Sequence, residues 1–100
     1  ILVQVNIIEE PQPLIPTAFS PNGDGINDVF NILNRDKFTV SIFHIYNRWG
    51  ELIFSDATSG WDGTYKQTEQ PIGTYVFYVA LKSIATGKQH SFKGNVTLLR

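Results

Sequence analysis

Turn-forming residues punctuate this chain throughout, dividing it into segments that suit short strands with turns between them. Breaker clusters fall at Glu9-Glu10-Pro11-Gln12-Pro13, Ser20-Pro21-Asn22-Gly23-Asp24-Gly25, Asn47-Arg48-Trp49-Gly50, Pro71-Ile72-Gly73 and Ala85-Thr86-Gly87-Lys88. No segment repeats its apolar residues at a helical period over three turns. Several alternate with a period of two, the signature of strands with one face buried. The only helical expectation is a single turn near Ile26 to Phe30, capped by Asn27 or Asp28.

Between the breakers, Phe38 to Tyr46 carries β-branched and aromatic residues on both faces and reads as a central strand. Glu51 to Phe54 is its returning partner. Thr74 to Lys82 is the clearest strand, and Gln89 to Leu99 returns from it after the Ala85–Lys88 turn. Gly94, inside that last strand, marks a bulge or a close approach of backbone. Thr64 to Gln70 holds a short strand or continues a loop. Ile1, Val3, Val5 and Ile7 alternate with Leu2, Gln4 and Asn6, which reads as a strand of this domain or the last strand of a preceding one. The expected fold is all-β, an Ig-like antiparallel β-sandwich of about seven strands. The expected organisation is a strand and linker over residues 1–13 and one domain over 14–100, the chain being a piece of a longer protein whose signal peptide lies upstream.

Composition supports a packed core. Apolar residues make up 42% of the chain and charged residues only 17%, the reverse of a disordered composition. The net charge is −1, and Lys and Arg are scattered singly from Arg35 to Arg100, so no basic face is set up for nucleic acid. With no cysteine, neither a disulfide framework nor a thiolate metal site can form. No apolar run is long enough for a transmembrane helix.

Four places carry candidate chemistry. Asn22, Asp24 and Asp28 gather side-chain oxygens around Gly23 and Gly25, with an EF-hand-like flavour that would suit calcium, a hard cation wanting many oxygens. Ser20 stands where that pattern wants an acid, and Asn31 where it wants a bidentate glutamate. The first reading is therefore a rigid turn whose side chains bond their own backbone, and calcium is the second. Asp62 is the residue that would complete such a site. Trp61-Asp62-Gly63 reads as a tryptophan packed over the sandwich end with Asp62 tying the turn, ahead of a sugar-stacking platform. In Arg48-Trp49-Gly50 the guanidinium is expected to lie on the indole at a hairpin tip, which also suits a recognition tip. His44 and His90 are the only histidines. His44 reads as a sheet residue, and His90 and Ser91, being neighbours on a strand, face opposite sides. No nucleophile elbow, HExxH helix or P-loop is present. The chain is expected not to be an enzyme.

Taken in order, the segments Ile15-Pro16-Thr17-Ala18-Phe19-Ser20-Pro21-Asn22-Gly23-Asp24-Gly25-Ile26-Asn27-Asp28-Val29-Phe30, Ile45-Tyr46-Asn47-Arg48-Trp49-Gly50, Leu52-Ile53-Phe54, Trp61-Asp62-Gly63, Pro71-Ile72-Gly73-Thr74-Tyr75-Val76-Phe77 and Gly94-Asn95-Val96-Thr97-Leu98-Leu99-Arg100 closely resemble the gliding-motility-associated C-terminal domain. This is the type B sorting domain of the type IX secretion system of Bacteroidetes. The resemblance covers about residues 15–100. It implies a domain at the C-terminus of a large exported protein, recognised by the type IX machinery together with PorP/SprF-like outer-membrane proteins. It further implies passage through the periplasm, then delivery of the cargo to the cell surface or the medium. On that reading the recognition residues are Arg48, Trp49, Gly94 and the final strand Val96, Thr97, Leu98, Leu99 and Arg100. A terminal strand suits recognition by added strand pairing. The isolated domain is expected to be a monomer needing no cofactor. The alternative function is an Ig-like adhesive or carbohydrate-binding module using Trp49 or Trp61 as its sugar platform.

Overall fold

A computed structural model of the chain describes residues 10–25 and 27–100. The alternating segment from Ile1 to Ile7 lies outside the described residues, as does Ile26. The described residues form seven strands: β1 (Ala18–Phe19), β2 (Phe38–Tyr46), β3 (Leu52–Ser55), β4 (Thr64–Tyr65), β5 (Thr68–Glu69), β6 (Gly73–Ser83) and β7 (Gln89–Leu98). Five make one sheet in the order β1-β7-β6-β2-β3, and β4-β5 form a small second sheet. All pairs are antiparallel except β1 with β7, which run parallel, Ala18 opposite Thr97 and Phe19 opposite Leu98. The architecture is an open, sandwich-like all-β fold.

The sheet is built around β6, whose side chains alternate. Tyr75, Phe77, Val79, Leu81 and Ser83 are buried, while the residues between them are partly or fully exposed. Strand β2 starts in the other phase. Phe38 is buried at an even position, but Phe43 and Ile45 are buried at odd ones. A bulge reconciles the two: Val40 pairs with Leu81 and Ile42 with Ala80, leaving Ser41 as the extra residue. One inserted residue flips every later side chain to the other face, so the bulge keeps both ends of β2 directed into one core.

The core lies on one face of the sheet. It is covered by Phe30, Ile32 and Trp61, all from irregular segments, and closed at the two sheet edges by Phe19 of β1 and Ile53 of β3. Rings of the covering layer interlock with rings of the sheet. Trp61 lies 5.0 Å from Tyr75, and Phe30 lies 5.7 Å from Phe43 and 5.5 Å from Phe77. Tilted and edge contacts at these separations are the favoured aromatic geometries. Two reciprocal backbone bonds, Phe30 N–H to Trp61 O at 2.8 Å and Trp61 N–H to Phe30 O at 2.9 Å, hold the layer together.

Gly94 is explained by this packing. It stands opposite Phe77, and a Cβ there would lie 2.8 Å from Phe77 Cζ. The register of β6 with β7 is continuous, so the glycine serves close approach and not a bulge. The expected helical turn near residues 26–30 is not where the chain coils. Asn27 takes a positive φ of 52° and Phe30 enters the bridge to Trp61. The one helical turn among the described residues is a 3-10 turn, Arg35–Lys37, leading into β2.

Candidate functional site

The Asn22–Asp28 loop is organised from inside by one carboxylate. Asp28 Oδ1 accepts from the Asn22 and Gly23 amides at 3.1 and 3.0 Å, and Oδ2 accepts from the Gly25 amide at 2.7 Å. Asn22 Oδ1 accepts from the Asp24 amide at 3.1 Å. The loop interior thus presents N–H donors to Asp28, which is the geometry of an anion nest already filled by the chain's own side chain. Asp62 does not join it. Its Oδ1 accepts from the Thr64 amide at 3.0 Å and the Thr64 hydroxyl at 2.7 Å, closing its own turn. Among the described residues no three His, Cys, Asp or Glu side chains are grouped so as to hold a metal ion.

Trp61 is fully buried, and its Nε1–H donates to Thr64 O at 2.8 Å. A ring with no exposed face cannot stack on a sugar, so Trp61 is withdrawn as a platform. Trp49 is the opposite case, with 80% of its surface exposed. Its turn is held by Asn47, whose Oδ1 accepts from the Trp49 and Glu51 amides at 2.9 and 3.0 Å. The Gly50 amide donates to Asn47 O at 3.0 Å, and Gly50 takes a φ of 80°, a region that glycine occupies without strain. Arg48 lies over the Trp49 ring, 5.0 Å from its centroid.

Beside this turn lies a half-open cleft of about 240 Å³, lined by residues that include Arg48, Trp49, Pro71, Ile72 and Tyr75. Ile72 is 62% exposed. The Tyr75 hydroxyl donates to Pro71 O at 2.6 Å, fixing the wall. Burial pushes the Tyr75 hydroxyl above the ordinary tyrosine range, opposed by the charges of Arg100 and Arg48. On the other side of the same turn, the outer face of the sheet forms a second groove, of about 460 Å³, with Tyr46, Arg48, Val76, Tyr78 and Lys93 in its lining. Ile72, Tyr46, Tyr78 and Lys93 do not stand out as site residues in the sequence. Only Ile72, an apolar residue inside a turn cluster, carried a signal that could have found it.

The final strand is tied into the fold on both sides. Val96 and Leu98 are fully buried. Beyond its pairing with β6, the Thr97 amide donates to Thr17 O and the Leu99 amide to Phe19 O, both at 2.9 Å. Both edges of this end are therefore occupied, and it has no free ladder for an added strand. Leu99 and Arg100 remain at the surface. Arg100 Nη2 donates to Gln70 O at 2.8 Å, and its guanidinium stands 3.7 Å from the exposed Glu69.

The histidines are not paired for catalysis. His44 Nδ1 sits 3.2 Å from the Tyr46 hydroxyl, and His90 Nε2 sits 2.7 Å from Glu10 Oε1 while its ring stacks on Phe92. The His90 bond, followed by one from the Thr86 hydroxyl, holds the Glu10 carboxyl below the usual glutamate range. No helix among the described residues is long and apolar enough to cross a membrane.

No curated protein and no solved structure matches the chain. Residues 14–98 match a protein family described as the CHU_C Type IX secretion signal domain.

Proposed function

Because the chain belongs to the CHU_C Type IX secretion signal domain family, we propose that it acts as a C-terminal sorting domain. On this reading it directs a larger protein across the outer membrane through the type IX machinery, with a PorP/SprF-like partner, to the cell surface or the medium. The domain passes through the periplasm as a folded module, recognises no nucleic acid and catalyses no reaction. The observation that carries this reading is the family match over residues 14–98, which spans every strand of the fold.

The fold supports a particular form of the signal. With Val96 and Leu98 in the core and both edges of that end paired, the last strand cannot be read as a loose peptide without unfolding the domain. The signal is then a folded surface, and the terminal strand contributes by completing the structure that presents it. The filled anion nest around Asp28 supports the loop as a structural tie needing no calcium.

The test is export of a passenger. Residues 14–100 are fused behind a signal peptide and a fluorescent protein, in hosts with and without the type IX system and its PorP/SprF-like protein. Surface or medium fluorescence only when both are present is the expected result. Removal of Val96–Arg100 should abolish export by abolishing the fold, and normal export of a truncated but folded domain would sink the proposal. The exposed indole of Trp49 is the one feature that favours the sugar-binding alternative. Specific binding on a glycan array, lost on Trp49→Ala, would bring that reading forward.

A further inference from the structure

We propose that the two grooves meeting at Arg48 form one docking surface for an extended, acidic segment of a protein partner that alternates carboxylate with apolar side chains. This rests on the sorting reading only for the partner's place in export; the binding chemistry stands on its own.

The charges point to the occupant. Neither groove is lined by an acidic residue. Among the described residues neither Arg48 nor Lys93 is in an ion pair, whereas His90 and Arg100 both are. The acid nearest in sequence, Glu51, is turned to Asn47 Nδ2 at 2.9 Å. Arg48 lies over the indole of Trp49, and its N–H groups, which make no ion pair among the described residues, can fork onto a carboxylate. The apolar half of the recognition is supplied on both sides of that cation: Trp49 and Ile72 at the end of the fold, Tyr46 and Tyr78 on the outer face of the sheet.

The shape points to an extended chain. The end cleft, at about 240 Å³, is below the usual small-molecule range of roughly 300–1,000 Å³ and suits a side chain better than a whole ligand. The outer groove lies across the β2–β3 turn from it and shares Arg48. A strand-like segment places alternate side chains on one side about every 7 Å, so it can set apolar groups into the grooves and acids against Arg48 and Lys93. A sugar suits the surface less well, because Arg48 already covers one face of the only exposed tryptophan.

The probe is a fluorescein-labelled, N-acetylated twelve-residue peptide alternating glutamate with tyrosine and leucine. Its control carries lysine at every glutamate position. Fluorescence anisotropy with the full chain should show saturable binding of the glutamate peptide only, weakened roughly tenfold or more by Arg48→Glu or Lys93→Glu. Both variants should melt as the parent does, since both side chains are at the surface. Amide shifts on binding should map to residues 46–50, 72–75 and 93. Absence of saturable binding, equal binding of the lysine peptide, or indifference to both substitutions would overturn the proposal. So would oligosaccharides that shield Trp49 from a fluorescence quencher when the peptide does not. In the passenger fusion, the Arg48→Glu, Lys93→Glu double variant should lose export while keeping its melting temperature. Full export by that variant would overturn the surface as a docking site but leave the sorting role intact. Failure of the parent domain to be exported would count against the sorting role alone, with the peptide titration still deciding the surface.

Discussion

Two tryptophans, twelve residues apart, sit in turns built alike and end up in opposite environments. Each is close to a glycine at positive φ and to an Asx side chain that ties the turn: Asn47 and Gly50 for Trp49, Asp62 and Gly63 for Trp61. Trp61 exchanges two backbone bonds with Phe30 and lies against Tyr75 and Phe19 as part of the layer that covers the sheet. Trp49 stands at a hairpin tip, where the chain reverses and no layer lies above it. Turn chemistry therefore does not decide burial. The partner strand or bridge on the far side of the molecule does, and that partner is distant in sequence.

The largest expected difference comes from truncating the two rings. Trp61→Ala should lose about 3–5 kcal/mol, enough to unfold a domain of this size or come close to it. Trp49→Ala should stay within about 0.5 kcal/mol. Urea denaturation of both variants measures this, and similar losses would break the comparison.

Next comes Gly94→Ala. Its Cβ would meet the Phe77 ring, which packs on Phe30 in the core, so about 1–3 kcal/mol should be lost, with partial recovery on adding Phe77→Leu. Additive melting effects of the two changes would show that the ring contact is not the cause.

Asp28→Ala should be smaller, about 1–2 kcal/mol, for the loss of a carboxylate that three amides share at an exposed loop. That loop abuts the Trp61 corner, since a Cβ on Gly63 would lie 3.1 Å from Pro21 Cγ. Calcium should leave the melting temperature of the parent unchanged. A rise in the parent that is missing in Asp28→Ala would instead make the loop a cation site.

The smallest effect is in acid. The Thr58 hydroxyl, then the Thr58 amide and the Ser59 hydroxyl, hold the Asp56 carboxyl below its ordinary value of 3.8. A depressed carboxyl stabilises the fold above its unfolded value, and that stabilisation is lost as the pH falls through the folded one. The parent should therefore melt progressively lower below pH 3.8, and Asp56→Ala should show a flatter profile over the same range. Parallel profiles would show that the bonds from Thr58 and Ser59 do not favour the ionised Asp56 carboxyl.

Much of the sheet was legible because its signals are local. Strand β2 occupies Phe38–Tyr46 as the sequence suggests, β3 and β6 differ from their expected bounds by one residue at each end, and β7 differs by one residue at its C-terminal end. Alternation and flanking turns suffice for such elements. The close approach at Gly94 and the Arg48 stack were also readable, each from a residue type out of place in its segment. What was hidden depends on distant partners or on strained backbone. Ala18–Phe19 has too few residues to show a period and becomes a strand only because Thr97 and Leu98 lie beside it. The β4–β5 hairpin turns through Lys66 and Gln67 at φ of 52° and 66°, without the Asn-Gly pair that usually marks such a turn. The grooves around Arg48 join residues of three strands and two turns, and no sequence spacing announces that junction.

The parallel contact of β1 with the end of β7 has a consequence in time. It joins the beginning of the domain to its last strand, so almost the whole domain must be looped out before the two can meet. Contacts of this span slow folding and place its completion late. During synthesis, Phe19 and Thr17 find their partners only after residues 97–99 have left the ribosome. A chain that stops short of them leaves Phe19 without its neighbour Leu98. The finished surface therefore exists only once this last strand of the fold has been made, and a chain broken off before it would not present that surface.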